Sequence, residues 1–183
     1  HVGVARDANV PITPRAAGTS LAGQAVGPGL VVDVGRYMNR IRSIDVEART
    51  ATVEPGVIRD DLNRALRPHG LLFGPDTSTS NRCMIGGMIG NNSCGSHSIL
   101  YGTTRDNLRT VDAVLSDGRL RALGRMPRDA WGEALRAGDR LGDACRALDD
   151  IVREHAQTIR ENYPRPELIR RNTGYPLDLL ANS

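Results

Sequence analysis

An α+β fold is predicted by three observations. The strand-like runs are short. Two pairs of them are joined by tight turns, at Ala48-Arg49 and at Ser116-Asp117-Gly118-Arg119. The regular strand–helix–strand alternation that a doubly wound sheet requires is missing, and a helical segment follows instead. Composition agrees. The chain has 183 residues with one Phe, one Trp, four Tyr and 20 Gly, against a usual glycine share of about 7%. Few aromatics and many glycines suit aliphatic strands and closely approached backbone. This length makes one large domain or two small ones, and burial of roughly two thirds of the unfolded surface allows a core.

The elements follow in order. Residues 1–9 read as the end of a helix, and Val10-Pro11-Ile12-Thr13-Pro14 is extended because each Pro biases its predecessor away from helix. A turn of small residues follows from Arg15 to Gln24, with a short helix expected after it. Such a turn aims backbone N–H groups at one point, which suits a phosphate; an ordinary strand-to-helix turn has the same pattern. It is neither GxGxxG nor GxxxxGK[ST], so neither nucleotide fingerprint is present. Gly29–Val34 is a buried-type strand, and residues 37–41 form a turn. Ile44–Glu47 and Thr50–Glu54 alternate as a hairpin, which Pro55-Gly56 ends. Val57, Ile58, Leu62, Ala65 and Leu66 are spaced as one face of a helix, with Gly70 as its left-handed cap. His69 reads as a helix-end residue. Thr110–Leu115 and Leu120–Leu123 form a second hairpin across an Asp-Gly turn. From Pro127 to about Asn162 apolar residues recur at three or four, and Gly138 and Gly142 divide the run into two helices. The tail is loop with a short helix around Pro176–Leu180.

The most unusual stretch runs from Phe73 to Tyr101, FGPDTSTSNRCMIGGMIGNNSCGSHSILY. Almost nothing in it is charged. A solvated loop carries charge, and a core strand does not carry so many Gly, Asn and Ser. Glycine removes the Cβ that would block a close approach, and Ser, Thr and Asn supply uncharged hydrogen-bonding groups. The stretch is therefore expected to touch a buried cofactor.

Composition also excludes classes. The 24 basic residues are all Arg and sit among 21 acidic ones. With no basic run interleaved with aromatics, nucleic acid is not an expected partner. Cys83, Cys94 and Cys145 form no CxxC pair and no zinc spacing, so a reducing compartment is expected and no metal site. No run approaches a membrane span. A cytoplasmic location, or a peripheral one at the inner membrane, is the expectation. Both ends of the chain read as cut from a longer protein.

Seven segments then occur in order: PRAAGTSLAGQ (14–24), VVDVGRYMNRI (31–41), VEPGV (53–57), FGPDTSTS (73–80), CMIGGMIGNNSCG (83–95), YGTTRDNL (101–108) and VLSDG (114–118). Together they resemble the FAD-binding domain of the vanillyl-alcohol oxidase, or p-cresol methylhydroxylase (PCMH), type. The resemblance is nearest to the FAD-linked 2-hydroxy-acid dehydrogenases, such as glycolate oxidase and the bacterial D-lactate dehydrogenases. GNNSCGSHSILYG is most similar to the large bacterial forms fused to an iron–sulfur domain, and Arg171-Asn172-Thr173-Gly174-Tyr175 also resembles that branch.

The resemblance implies an α+β domain over residues 1–123, with subdomains of about 1–54 and 55–123 and FAD between them. Residues 124–183 would be a helical segment leading to a substrate domain beyond this chain. By the same resemblance Arg15, Ala16, Ala17, Gly18, Thr19 and Ser20 would wrap the FAD pyrophosphate. Pro75, Asp76, Thr77 and Thr79 would line the second side. Gly86 and Gly87 would admit the diphosphate and ribitol, and Asn91, Asn92, Ser93 and Gly95 would lie near the isoalloxazine. The strand around Val111 would touch the adenine end. Covalently flavinylated members carry a His where Thr19 stands, so FAD is expected to be non-covalent. His97 reads as an ordinary hydrogen-bonding loop residue and Cys94 as a small packed one. An iron–sulfur cluster belongs only to the part beyond this chain.

The implied function is oxidation of a small 2-hydroxy acid of the D-lactate or glycolate class by hydride transfer to FAD. The base and carboxylate-binding groups would lie in the substrate domain, so no catalytic residue is named, and the electron acceptor is unknown. The alternatives are another FAD enzyme of this fold, an alditol-type oxidase or an enolpyruvyl-sugar reductase, or a flavin-binding fragment without catalysis.

Overall fold

The computed structural model describes residues 2–165, 167–168 and 175–182. Arg171 to Gly174, part of the branch-like RNTGY run, lie outside them. The chain divides into two units. One is Asp7–Leu108; the other joins the first six residues to everything from Arg109 onward. The mixture of helices and small sheets is α+β, as the hairpin-rich sequence predicts.

Helix α1 (Val2–Asp7) opens the chain. In the Asp7–Leu108 unit, β1 (Ile12–Arg15) pairs in parallel with β2 (Leu30–Asp33). The register sets Ile12 opposite Leu30 and Arg15 opposite Asp33, so the Arg and Asp finish their strands side by side. Between them the chain forms bends and turns from Ala16 to Gly29, and the short helix expected after Arg15–Ser20 is absent. Gly18, Gly23 and Gly29 all take left-handed φ values there. Three such residues within twelve interrupt any helical run.

The expected hairpin forms as β3 (Ile41–Asp45) and β4 (Thr50–Val53), antiparallel, with an irregularity between Ile41 and Ser43. Asp45 Oδ1 accepts the Ala48 N–H at 2.8 Å and closes the turn. Helix α2 (Arg59–Leu66) follows the hairpin. Asp60 and Asp61 sit in its first turn, where the helix dipole favours them. Leu62 and Leu66, four apart, are its buried residues. Gly70, at φ 66°, supplies the left-handed cap after the single turn Arg67–His69.

The Phe73–Tyr101 stretch contains two short helices that the sequence did not announce: α3 (Ile85–Gly90) and α4 (Ser98–Tyr101). Half of α3 is glycine, the poorest helix former after proline. Packing holds it instead. Ile85 and Met88, three apart, join Val57, Leu62, Leu66 and Cys83 in the buried core. A Schellman motif then closes α3: Ser93 N donates to Met88 O at 2.8 Å and Asn92 N to Ile89 O at 3.1 Å. Asn92 takes the required left-handed position, at φ 43°.

In the other unit β5 (Thr110–Val114) and β6 (Leu120–Gly124) form the second hairpin, with Gly118 at φ 79° in its turn. The helical tract breaks where expected, into α5 (Arg128–Arg136) and α6 (Arg140–Asn162). Asp139 caps α6 by accepting the Gly142 N–H at 3.0 Å. α7 (Leu177–Ala181) follows. Among the described residues no helix is long and apolar enough to cross a membrane.

Candidate cofactor site

The site begins at the end of β1. Arg15 Nη2 donates to Asp33 Oδ2 at 2.8 Å, the ion pair that the parallel register brings together. The Arg15 hydrogen bond, aided by the Gly35 N–H at 2.9 Å, holds the Asp33 carboxyl below its ordinary value. Arg15 Nε is enclosed and has no hydrogen-bond partner among the described residues. The backbone N–H groups of Ala17, Gly18, Thr19 and Ser20 also have none among them. Ser20 Oγ pairs instead with Gln24 Oε1. A loop that leaves four successive backbone donors unpaired is chemically suited to an anion with several oxygens.

α3 comes up against this loop. A Cβ placed on Gly87 would meet only Ala16 Cβ, at 3.9 Å, an ordinary contact. Space therefore exists at Gly87 that no protein atom fills. Gly86 differs: a Cβ there would come within 2.6 Å of Pro55 Cβ, so its glycine is required by packing against the chain itself. The pair that the sequence treats alike has one glycine facing protein and one facing open space.

The second wall is made by residues 75–79. Pro75 is fully buried, and its carbonyl accepts Arg59 Nε at 3.1 Å. Asn63 fixes the entry to this wall, exchanging bonds with Phe73 N (2.8 Å) and Phe73 O (3.1 Å). Thr77 Oγ1 lies 3.3 Å from Thr79 Oγ1 and donates to Cys83 Sγ at 3.2 Å. Asp76 turns the other way. Its Oδ2 receives His97 Nδ1 at 2.7 Å and Ser96 Oγ at 3.3 Å, and its Oδ1 receives the His97 N–H at 3.2 Å. An ionised carboxylate only accepts, so Nδ1 is the donor in that bond. Burial raises the Asp76 pKa, but these bonds outweigh it and leave the carboxyl below its ordinary value. Gly95 packs flat on the Asp76 carbonyl, which a Cβ there would overlap. Asp76, Gly95, Ser96 and His97 thus form a latch between the two halves of the stretch.

Asn92 and Ser93 are also engaged by protein. Asn92 Oδ1 accepts the Arg105 N–H at 2.9 Å, and Ser93 O accepts Thr104 N (3.1 Å) and Thr104 Oγ1 (2.7 Å). Asn91 N donates to Gly87 O at 3.1 Å as the C-cap of α3. Of the residues named from sequence, all from Arg15 to Gly95 fall in the Asp7–Leu108 unit, while Val111 lies on β5 in the other. Sequence reasoning did not single out Asp33, Asn63 or Ser96 as parts of this arrangement, whereas His97, read as a hydrogen-bonding loop residue, makes such bonds here. Only Asp33 carried a signal, an acid closing one strand as Arg15 closes the other.

The family described as "FAD binding domain" matches residues 1–124, more than half of the chain. The chain belongs to this family. Its relatives extend the comparison. D-2-hydroxyglutarate dehydrogenase of Pseudomonas putida is 42% identical over 179 residues, covering 96% of this chain and 17% of that protein. The glycolate oxidase GlcD protein of Bacillus subtilis is 42% identical over 125 residues, 67% of this chain and 27% of its own. Among solved structures, 6-hydroxy-D-nicotine oxidase of Arthrobacter nicotinovorans superimposes with a TM-score of 0.60 at 27% identity, over 71% of this chain and 28% of that one. The chain spans only 17% of the length of the D-2-hydroxyglutarate dehydrogenases it matches. As a member of this family the domain is an FAD domain, and its chemistry fits that cofactor: backbone donors after β1 are unpaired, and open space lies at Gly87.

Proposed function

We propose that residues Arg15–Ser20 and the 75–95 stretch hold FAD without a covalent bond, as part of an enzyme that oxidises a 2-hydroxy acid. The observation that carries the reading is the group of unpaired donors after β1, beside the open space at Gly87. The N–H groups of residues 17–20 would donate to diphosphate oxygens, with Arg15 at the start of the loop. Thr77, Thr79, Asn91 and Ser93 would line the remainder, and the Asp76 latch would fix the wall they stand on. Gly86, Asn92 and Gly95 contribute by holding that wall in place. Val111 at the adenine end is carried by the resemblance alone. Bound FAD supplies a hydride acceptor; this chain binds and orients it.

The substrate class follows from how far each relative matches. The D-2-hydroxyglutarate dehydrogenases match 95–97% of the chain, through the helical segment after residue 124. The glycolate and D-lactate enzymes match 66–68%. That extra extent favours D-2-hydroxyglutarate over glycolate and D-lactate. The base that takes the hydroxyl proton would belong to sequence beyond this chain, as would any iron–sulfur cluster. A cytoplasmic location, or a peripheral one at the inner membrane, is proposed on cysteine usage: Cys83, Cys94 and Cys145 form no CxxC pair and suit a reducing compartment.

Two measurements test the reading. The chain, stripped of flavin, should gain thermal stability on adding FAD, since a ligand that binds only the native state raises stability. A melting temperature unmoved by excess FAD would count against the site. The full-length protein should reduce an artificial electron acceptor faster with D-2-hydroxyglutarate than with D-lactate or glycolate, and the reverse order would overturn the substrate assignment.

A further inference from the structure

Helix α2 grips the chain from Phe73 to Cys83 at both ends. At the near end Asn63 exchanges bonds with Phe73, and Arg59 Nε donates to Pro75 O at 3.1 Å. Arg59 Nη2 also reaches Phe73 O, at 3.4 Å. At the far end the N–H groups of Arg59 and Asp60 donate to Cys83 O (3.0 Å) and Ser80 O (3.3 Å), and Asp60 Oδ2 accepts Ser80 Oγ at 3.2 Å. Between these anchors the N–H groups of Asp76, Thr77, Ser78 and Thr79 have no partner among the described residues. In a stretch that otherwise closes on itself, that gap calls for an explanation. The Pro75–Asp76 peptide is trans, so its C=O and N–H point opposite ways. With the carbonyl turned to Arg59, the Asp76 N–H points away from the guanidinium that holds it. The Arg59 side chain is only 15% exposed, so water screens its charge little. A charged donor on the carbonyl polarises that amide and strengthens its N–H as a donor.

We propose that Arg59 and Asn63 are positioning residues for FAD, clamping residues 73–75 so that the N–H groups of residues 76–79 are presented to the flavin half of the cofactor. This rests on the FAD reading above. Neither side chain touches the cofactor; both act through the wall they hold. Arg59 and Asn63, four apart, share one face of α2. Leu62 and Leu66 fix that helix in the buried core, so the clamp stands on a rigid base. Asp60 Oδ1 accepts Arg59 Nη1 at 3.0 Å and offsets the guanidinium charge. The clamp therefore aims backbone donors rather than adding a net charge to the site. Its loss should be felt by the flavin and not by the phosphates, which the loop at residues 17–20 receives.

Calorimetric titration of the flavin-free chain with FAD, and with ADP as a probe that lacks the flavin, tests this well below each variant's melting temperature. Arg59→Gln should weaken FAD about tenfold, the scale of a hydrogen bond to a charged group, and Asn63→Leu about three- to fivefold. Arg59→Lys keeps the charge but reaches only one of the two carbonyls, and should recover part of the loss. ADP affinity should stay within about twofold of the parent's in all three. The visible absorption band of bound FAD should shift towards that of free FAD in Arg59→Gln and Asn63→Leu. That band reports the surroundings of the flavin, which a loss of stability alone would not move. Variants that melt earlier yet keep the parent's FAD affinity and band would overturn the proposal, leaving α2 a role in folding only. Equal losses for FAD and ADP would mean general damage, and would also overturn it. If Arg59→Gln does not fold, Asn63→Leu and Arg59→Lys decide by the same readings. A parent chain that takes up no FAD removes the FAD reading and this proposal with it, an outcome seen before any variant is made.

Discussion

The loop from Ala16 to Gly29 and the stretch from Phe73 to Tyr101 are both rich in glycine and small residues, and they use them differently. The loop leaves its polar groups open. Arg15 Nε and the N–H groups of residues 17–20 lack partners among the described residues, and Leu21 stands fully exposed. The stretch closes on itself. Ser98 is buried, its Oγ accepts the Gly95 N–H at 3.0 Å, and Asp76 collects three donors. Glycine density thus has two physical origins in one unit. In the loop it permits left-handed backbone; in most of the stretch it permits contact between parts of the same chain. Gly87 is where the two meet.

The strongest way to break this comparison is at Gly87. Gly87→Val should leave the chain folded but unable to retain stoichiometric FAD, because the branched side chain fills the space beside Ala16. Gly87→Ala is the control for folding. It adds a methyl at ordinary contact distance inside α3 and should stabilise the flavin-free chain by about 0.5–1 kcal/mol. FAD retained at full stoichiometry by the Val variant, read from its visible flavin absorbance, would mean that the open space at Gly87 is not cofactor space.

The next effect belongs to folding alone. Gly95→Ala would drive a Cβ into the Asp76 carbonyl, and backbone cannot swing aside as a side-chain tip can. A destabilisation of about 3 kcal/mol is expected, the upper end for overpacking, read from the denaturation midpoint without FAD. Gly87→Ala and Gly95→Ala are the same chemical change eight residues apart with opposite signs, so equal effects would erase the distinction between the two kinds of glycine.

Sequence could not have drawn that distinction. Both hairpins were legible, because alternation and turn chemistry are local: Asp117-Gly118 sits in one turn and Ala48-Arg49 in the other. The two long helices and the left-handed Gly70 were legible for the same reason. α3 was not, since three of its six residues are glycine and the core contacts of Ile85 and Met88 come from residues far along the chain. The small-residue turn after β1 invited a helix that its left-handed glycines forbid. At the site, motif order named residues that, from Arg15 to Gly95, fall in one unit. It could not tell Gly87, with open space beside it, from Gly86 against Pro55, nor Asp76 as a latch from Asp76 as a cofactor contact. Those assignments depend on which atoms meet across twenty residues or more.

The smallest effect separates the two aspartates. Asp76→Ala removes the acceptor for Ser96 Oγ, His97 Nδ1 and the His97 N–H, and should cost about 1–2 kcal/mol at neutral pH. The sign with pH follows from its depressed pKa. The folded carboxyl releases its proton more readily than the unfolded one at 3.8, so its contribution is present above that value and is lost as pH falls through the lower, folded value. The gap between parent and Asp76→Ala should therefore narrow on acidification below the ordinary carboxylate range, measured by denaturant midpoints along a pH series. A gap that stays constant into strong acid would show that the bonds do not depend on an ionised carboxylate. Asp33 is also held below its ordinary value, chiefly by Arg15, yet it stands about half exposed at the open loop. Asp33→Ala should leave the denaturant midpoint almost unmoved, as for other exposed ion pairs. One aspartate then ties two segments of the fold together, and the other closes two strand ends at the open loop.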